Sequence, residues 1–138
     1  MSASGHPFFE LLQRDKRYRL EAYQFVREGL SFAHDVLALG DPEAEGGDPG
    51  ERHLTGQELC EAIRQYAVRQ YGYMAKVVLR NWGIHTTSDL GNIVYNLIEI
   101  KMMKKSATDR REDFDGVYDF EEVFSRQFQF ENRDQADA

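Results

Sequence analysis

The chain has 138 residues, 41% of them hydrophobic, 12% aromatic and 30% charged, with a formal net charge of −7. This length suits one domain with its own core, and the composition excludes a wholly disordered chain. The acidic balance argues against a protein whose main task is to hold nucleic acid nonspecifically through phosphates. Cys60 is the only cysteine, which excludes an intramolecular disulfide and a cysteine-based zinc site and fits a reducing compartment.

The opening, MSASGHPFFELLQRDKR, lacks the basic start and long apolar run of a secretory signal. No later segment approaches the ~20 apolar residues of a membrane span, so the expectation is a cytoplasmic protein with no membrane partner. No internal repeat at a solenoid period is present. Pro7 suits the first turn of a short helix carrying Phe8, Phe9, Leu11 and Leu12. From about Arg17 to Leu39 the residues Leu20, Tyr23, Val26, Leu30, Ala33 and Leu37 recur at three- and four-residue steps, which predicts the longest helix, ending at Gly40. Gly29 inside it calls for either a close neighbour or a bend.

Residues 40–50, GDPEAEGGDPG, combine four glycines, two prolines and four acids, and are expected to form a flexible acidic loop. A calcium loop would need alternate oxygen ligands and a terminal bidentate glutamate, which this spacing does not supply. Thr55 and Glu58 then make a capping box, flanked by Leu54 and Leu59 at the spacing of a hydrophobic staple. The helix they open turns Leu59, Ala62, Ile63, Tyr66 and Ala67 inward and stops at Gly72. Cys60, beside that stripe, reads as a small buried hydrophobe rather than a reactive thiol, since no activating partner is fixed nearby.

A shorter helix is expected from about Tyr73 to Trp82, inward through Met74, Val77, Val78 and Leu79, with Gly83 as its left-handed exit. Thr86, Thr87 or Ser88 caps the next helix, about 87–102, with Asp89 in its positive first turn. Leu90, Ile93, Val94, Leu97 and Ile98 form its inner stripe, and Ser88, Asn92, Asn96 and Glu99 its outer face. After Met103 the helical period is lost, which predicts a small β-hairpin over 103–118. A last helix from about Asp119 to Phe128 and a mobile polar tail, 131–138, complete the chain.

The expected architecture is mainly α: a single compact domain over 1–130 of about five to six helices, with a helix-turn-helix-like pair and that hairpin. Helix, glycine turn, capped helix and hairpin is the order of a winged helix-turn-helix. In that reading Asn92, Asn96 and Lys101 read bases, while Lys104, Lys105, Arg110 and Arg111 lie on or near the wing. Residues 73–105 carry five basic residues against Asp89 and Glu99, a local charge of +3. The segment MKKSATDRRED is similar to the wing of the MarR-type regulators. Against DNA stand ten acids between Asp109 and Asp137, opposed by four arginines. The plainer alternative is an αα-corner with no DNA partner.

For an enzyme, the four histidines, His6, His34, His53 and His85, show no metal-binding pair, and no phosphate loop, nucleophile elbow or dinucleotide fingerprint is present. No catalytic, cofactor or metal residue is assigned, and capping or surface roles suit His53 and His85 better. Phe114, Tyr118, Phe120, Phe124, Phe128 and Phe130 crowd toward the C-terminus. They either pack over the main body or are covered by a protein partner, a second copy of the chain being the first choice.

The stretches YRLEAYQFVREGL, RHLTGQELCEAIRQYA, WGIHTTSDLGNIVYNLIE and REDFDGVYDF span most of residues 18–120. In combination they resemble a family of uncharacterised proteins found largely in planctomycetes and verrucomicrobia. The resemblance implies a bacterial origin and a cytosolic role, and carries over no activity and no site residue. The expected function is that of a non-catalytic binding or regulatory module acting through protein contacts, with a winged-helix DNA-binding protein as the alternative.

Overall fold

A computed structural model of the chain describes residues 6–38, 54–105 and 109–126. The expected acidic loop at 40–50, His53, the distal part of the wing, Phe128, Phe130 and the tail at 131–138 therefore lie wholly or partly outside the described residues. Five α-helices carry the fold: α1 (Pro7–Arg14), α2 (Leu20–Asp35), α3 (Gly56–Tyr71), α4 (Ala75–Asn81) and α5 (Thr87–Glu99). One hydrophobic core joins all five and takes in Leu11, Phe25, Ile63, Leu79 and Leu97.

The two longest-capped starts follow the sequence closely. At α3 both halves of the capping box form: Glu58 N–H donates to Thr55 Oγ1 (3.1 Å), and Thr55 N–H donates to the Glu58 carboxylate (3.0 Å). Leu54 and Leu59 are both buried, as a hydrophobic staple requires. At α5 the cap is Thr86 with Asp89 as its reciprocal partner. Such a cap is worth about 1 kcal/mol. His6 caps α1, its Nδ1 accepting from Phe8 N–H at 3.1 Å.

The helix predicted over 17–39 is shorter at both ends. Arg19 is extended because its N–H donates to the Trp82 carbonyl (3.1 Å), and Asp15 ties the preceding turn by accepting from Arg17 N–H (3.1 Å). At the other end Val36 and Leu37 both donate to the Phe32 carbonyl, and Ala38 turns left-handed at φ 53°. Gly29 is explained by packing: a Cβ there would collide with Ile63 of α3, so the glycine lets α2 and α3 approach.

The exits of α4 and α5 share one hydrogen-bond pattern. After α4, Gly83 N–H donates to Arg80 O and Ile84 N–H to Leu79 O, both at 2.9 Å, with Gly83 at φ 98°. Ile84 and Leu79 are fully buried, supplying the apolar contact of a Schellman motif. After α5, Lys101 N–H donates to Ile98 O (2.9 Å) and Met102 N–H to Leu97 O (2.8 Å). There the left-handed position, φ 65°, belongs to a lysine.

The hairpin expected over 103–118 is not formed among the described residues. Residues Arg111–Phe114 make a 3₁₀ turn against α3 and α5. The reason is Phe114, which is buried in a slot between two helix glycines. A Cβ on Gly91 would stand 2.7 Å from Phe114 Cβ, and one on Gly56 3.1 Å from Phe114 Cε2. Burying a phenylalanine side chain contributes about 1.5–3 kcal/mol, more than a two-stranded ribbon on the surface would gain. The chain then forms a π-helical turn at Glu121–Arg126, and Phe120 and Phe124 enter the core near α3 and α4.

Candidate functional site

The face of α5 expected to look outward is instead a polar seam, part-buried under distant segments at Ser88, Asn92 and Asn96 and exposed at Glu99. Ser88, Asn92, Asn96 and Glu99 recur along one side of the helix. Each has a partner. Ser88 Oγ–H donates to Asp115 Oδ1 at 2.7 Å, and Glu99 accepts from Arg14 at 2.5 Å. Asn92 Nδ2–H donates to the Tyr18 hydroxyl (2.8 Å), while its Oδ1 accepts from Arg111 Nε–H (3.0 Å) and Nη2–H (2.6 Å). Asn96 Nδ2–H donates to Asp15 Oδ2 (3.0 Å) and to the Tyr23 hydroxyl (3.1 Å).

Burial and charge pull these groups away from their ordinary titration. The Arg17 guanidinium, bonded to both Asp15 oxygens at 2.9 and 2.7 Å, holds that carboxyl well below the usual carboxylate range, and Asn96 adds to the effect. Burial pushes the Tyr18 phenol up, helped by its donation to Asp89 Oδ1 at 2.6 Å. Asp89 in turn accepts from the backbone N–H groups of His85 (2.8 Å) and Thr86 (3.1 Å) through Oδ2. Asp115 is lowered by its bond from Ser88 and then by Arg111.

The expected outward aim of Asn92 and Asn96 is thus corrected. Asn92 both donates and accepts inside the molecule and Asn96 donates twice, because the 15–19 linker and the 3₁₀ turn pack across α5. Arg111, expected on the wing, is half-buried under this seam, donating also to the Ser88 carbonyl (2.7 Å) and to Asp115 Oδ1 (2.9 Å). Lys101, Lys104, Lys105 and Arg110 are exposed. Tyr18, Asp15 and Tyr23 are the seam residues that the sequence did not announce. The legible signal was the asparagine pair at i and i+4 on an otherwise apolar helix.

Elsewhere, Cys60 is fully buried and its thiol is pushed up to about 12 by burial, so it behaves as a small hydrophobe. The Tyr118 hydroxyl donates to the Cys60 carbonyl at 2.7 Å. His85 donates its backbone N–H to Asp89, and His6 is a cap. Among the described residues no group of three His, Cys, Asp or Glu side chains is arranged to hold a metal ion. No helix among them is long and apolar enough to cross a membrane.

The second feature is apolar. On α4 the buried residues Ala75 and Leu79 fix the helix to the core, which leaves its opposite side in solvent. The expected inward aim holds for Leu79 and is corrected for two others: Val77 is 45% exposed and Met74 42%, because Ala75 and Leu79 fix the opposite side to the core; Met74 and Tyr73, 68% exposed, stand in the preceding 3₁₀ turn. Arg80 is exposed along the same face, and Lys76 at its edge pairs with Glu121 of the π-helical turn. Of the expected crowd of C-terminal aromatics, Phe114, Phe120 and Phe124 are core residues, and Phe128 and Phe130 lie outside the described residues. No protein-family model, curated protein or solved structure matches this chain.

Proposed function

We propose that the chain is a non-catalytic binding or regulatory module of the bacterial cytosol that acts through protein contacts. The observation that carries this reading is the exposure of Met74 and Val77, apolar side chains held in water where the 3₁₀ turn at Gly72–Met74 leads into α4. A folded chain gains nothing internally from such exposure, and a partner that covers the run recovers the lost burial. Light scattering of the pure protein, with co-purifying chains resolved by electrophoresis, tests it: a larger species or retained partner lost on Val77→Glu is expected. A clean monomer that retains nothing sinks the reading.

A DNA-binding module remains the second reading, because Lys101, Lys104 and Lys105 follow α5 on an exposed stretch. With both asparagine amides committed internally, such contacts would fall on phosphates rather than base edges, and affinity would drop steeply with salt. Lys104→Glu with Lys105→Glu is expected to abolish duplex binding. Retention of DNA by that double variant, or no retention by the parent, removes the reading.

A further inference from the structure

We propose that the linker between α1 and α2 forms a basic ridge over α5 that holds the phosphate backbone of nucleic acid without reading its sequence; this rests on the second, DNA-binding reading above. Hydrogen bonds lay the linker antiparallel along α5: Arg14 reaches Glu99, Asp15 accepts from Asn96, Tyr18 accepts from Asn92, and Arg19 N–H then meets the Trp82 carbonyl. Asp89, at the far end of that track, accepts from Tyr18, and the helix between Asp89 and Glu99 is about 15 Å long. The segment 14–19, RDKRYR, carries four cations against one acid in a chain of net charge −7, so the ridge has the opposite sign to the molecule as a whole.

The acids under this ridge are already held. Asp15 accepts from Arg17, Glu99 from Arg14 and Asp89 from Tyr18. Arg14 and Arg17 keep 53% and 59% of their side chains in water while making those bonds. Lys16 and Arg19 are exposed and pair with no acid among the described residues, and the exposed Arg80 and Lys101 extend the track beyond its two ends. Glu21, in the first turn of α2, is the exposed acid that follows them. Tyr18, the one aromatic of the segment, is buried, so the ridge offers charged heads with no apolar anchor between them. A protein partner needs such an anchor, whereas a phosphate backbone needs only cations set in a row. With Asn92 and Asn96 bonded inside the molecule, the contact falls on phosphates and not on base edges.

The test is fluorescence anisotropy of labelled random-sequence duplex DNA with the full chain, repeated between ~50 and ~200 mM salt. Each phosphate contact adds about 0.9 to the slope of log affinity against log salt, so Lys16→Gln with Arg19→Gln should lower that slope by about 2 and weaken binding at least about tenfold at low salt. Both side chains are exposed, so the urea midpoint should stay at the parent value. A double variant that keeps the parent slope and affinity, while Lys104→Glu with Lys105→Glu abolishes binding, overturns the ridge and leaves the DNA-binding reading standing. No binding by the parent at low salt overturns both. Sedimentation of the parent with phosphatidylserine vesicles in the absence of any DNA binding assigns the ridge to a membrane surface and overturns this inference.

Discussion

Asn92 and Arg111 are joined by two hydrogen bonds from one guanidinium to one amide oxygen, Nε at 3.0 Å and Nη2 at 2.6 Å, across 19 residues of chain. The same amide donates to Tyr18, 74 residues upstream. One side chain of α5 therefore ties the linker before α2 to the turn after α5.

Asn92→Ala removes that tie and leaves Arg111 and Tyr18 part-buried with lost partners. The expected cost is about 1–3 kcal/mol, because stranding polar groups costs more than the bond alone contributes. A urea titration followed by Trp82 fluorescence measures it. In a double-mutant cycle with Arg111→Ala the two losses should not add, with a coupling of at least ~0.5 kcal/mol. Additive losses would refute the connection.

Lys101 occupies the left-handed position that glycine occupies after α4, at φ 65° against 98° for Gly83. Lys101→Gly should stabilise the chain by about 1 kcal/mol, since the strain of a Cβ in that region outweighs the entropy that glycine adds to the unfolded state. Differential scanning calorimetry should show a higher Tm. A lower one would mean that the lysine side chain contributes more than its backbone costs.

The Tyr95 hydroxyl is buried with no hydrogen-bond partner among the described residues, and its ring stands edge-on to Phe114 at 6.4 Å. Tyr95→Phe keeps the ring contact and removes the stranded oxygen, so stability should hold or rise by up to ~1 kcal/mol. A loss of 1 kcal/mol or more in chemical denaturation would contradict this.

Acid should release the contribution of Asp15. Its folded carboxyl titrates below the ordinary range because of Arg17, so the unfolded chain binds the proton more readily. The stabilisation is complete above the ordinary carboxylate value of about 4 and is lost as pH falls from there toward the folded value. The stability difference between the parent and Asp15→Asn, measured by urea denaturation at pH 7 and pH 3, should shrink at the lower pH. An unchanged difference would show that Asp15 acts by hydrogen bonding alone.

Helix identity was legible wherever a local signal and a period agreed. Thr55 with Glu58, and Thr86 with Asp89, fix their helix starts through bonds three residues apart, and Gly83 fixes a helix end by backbone geometry. The hairpin over 103–118 was misjudged because loss of helical period says only that no regular helix continues. What shapes that segment is Phe114 in the slot between Gly56 and Gly91, 58 and 23 residues away. The glycine inside α5 was the trace of this contact in the sequence, without saying what fills the space.

The sequence by itself determined the helical class, the caps, the inner stripes of α3 and α5 and the buried character of Cys60, because each follows from spacing within a few residues. Tertiary structure alone decided that Asn92 and Asn96 face inward, that Arg111 is a tether and that Val77 stays in water. An amphipathic period separates a polar side from an apolar one, but it carries no record of which distant segment covers the polar side. On α5 that cover is Asp15, Tyr18 and Arg111, and at α4 Val77 and the preceding Met74 remain exposed.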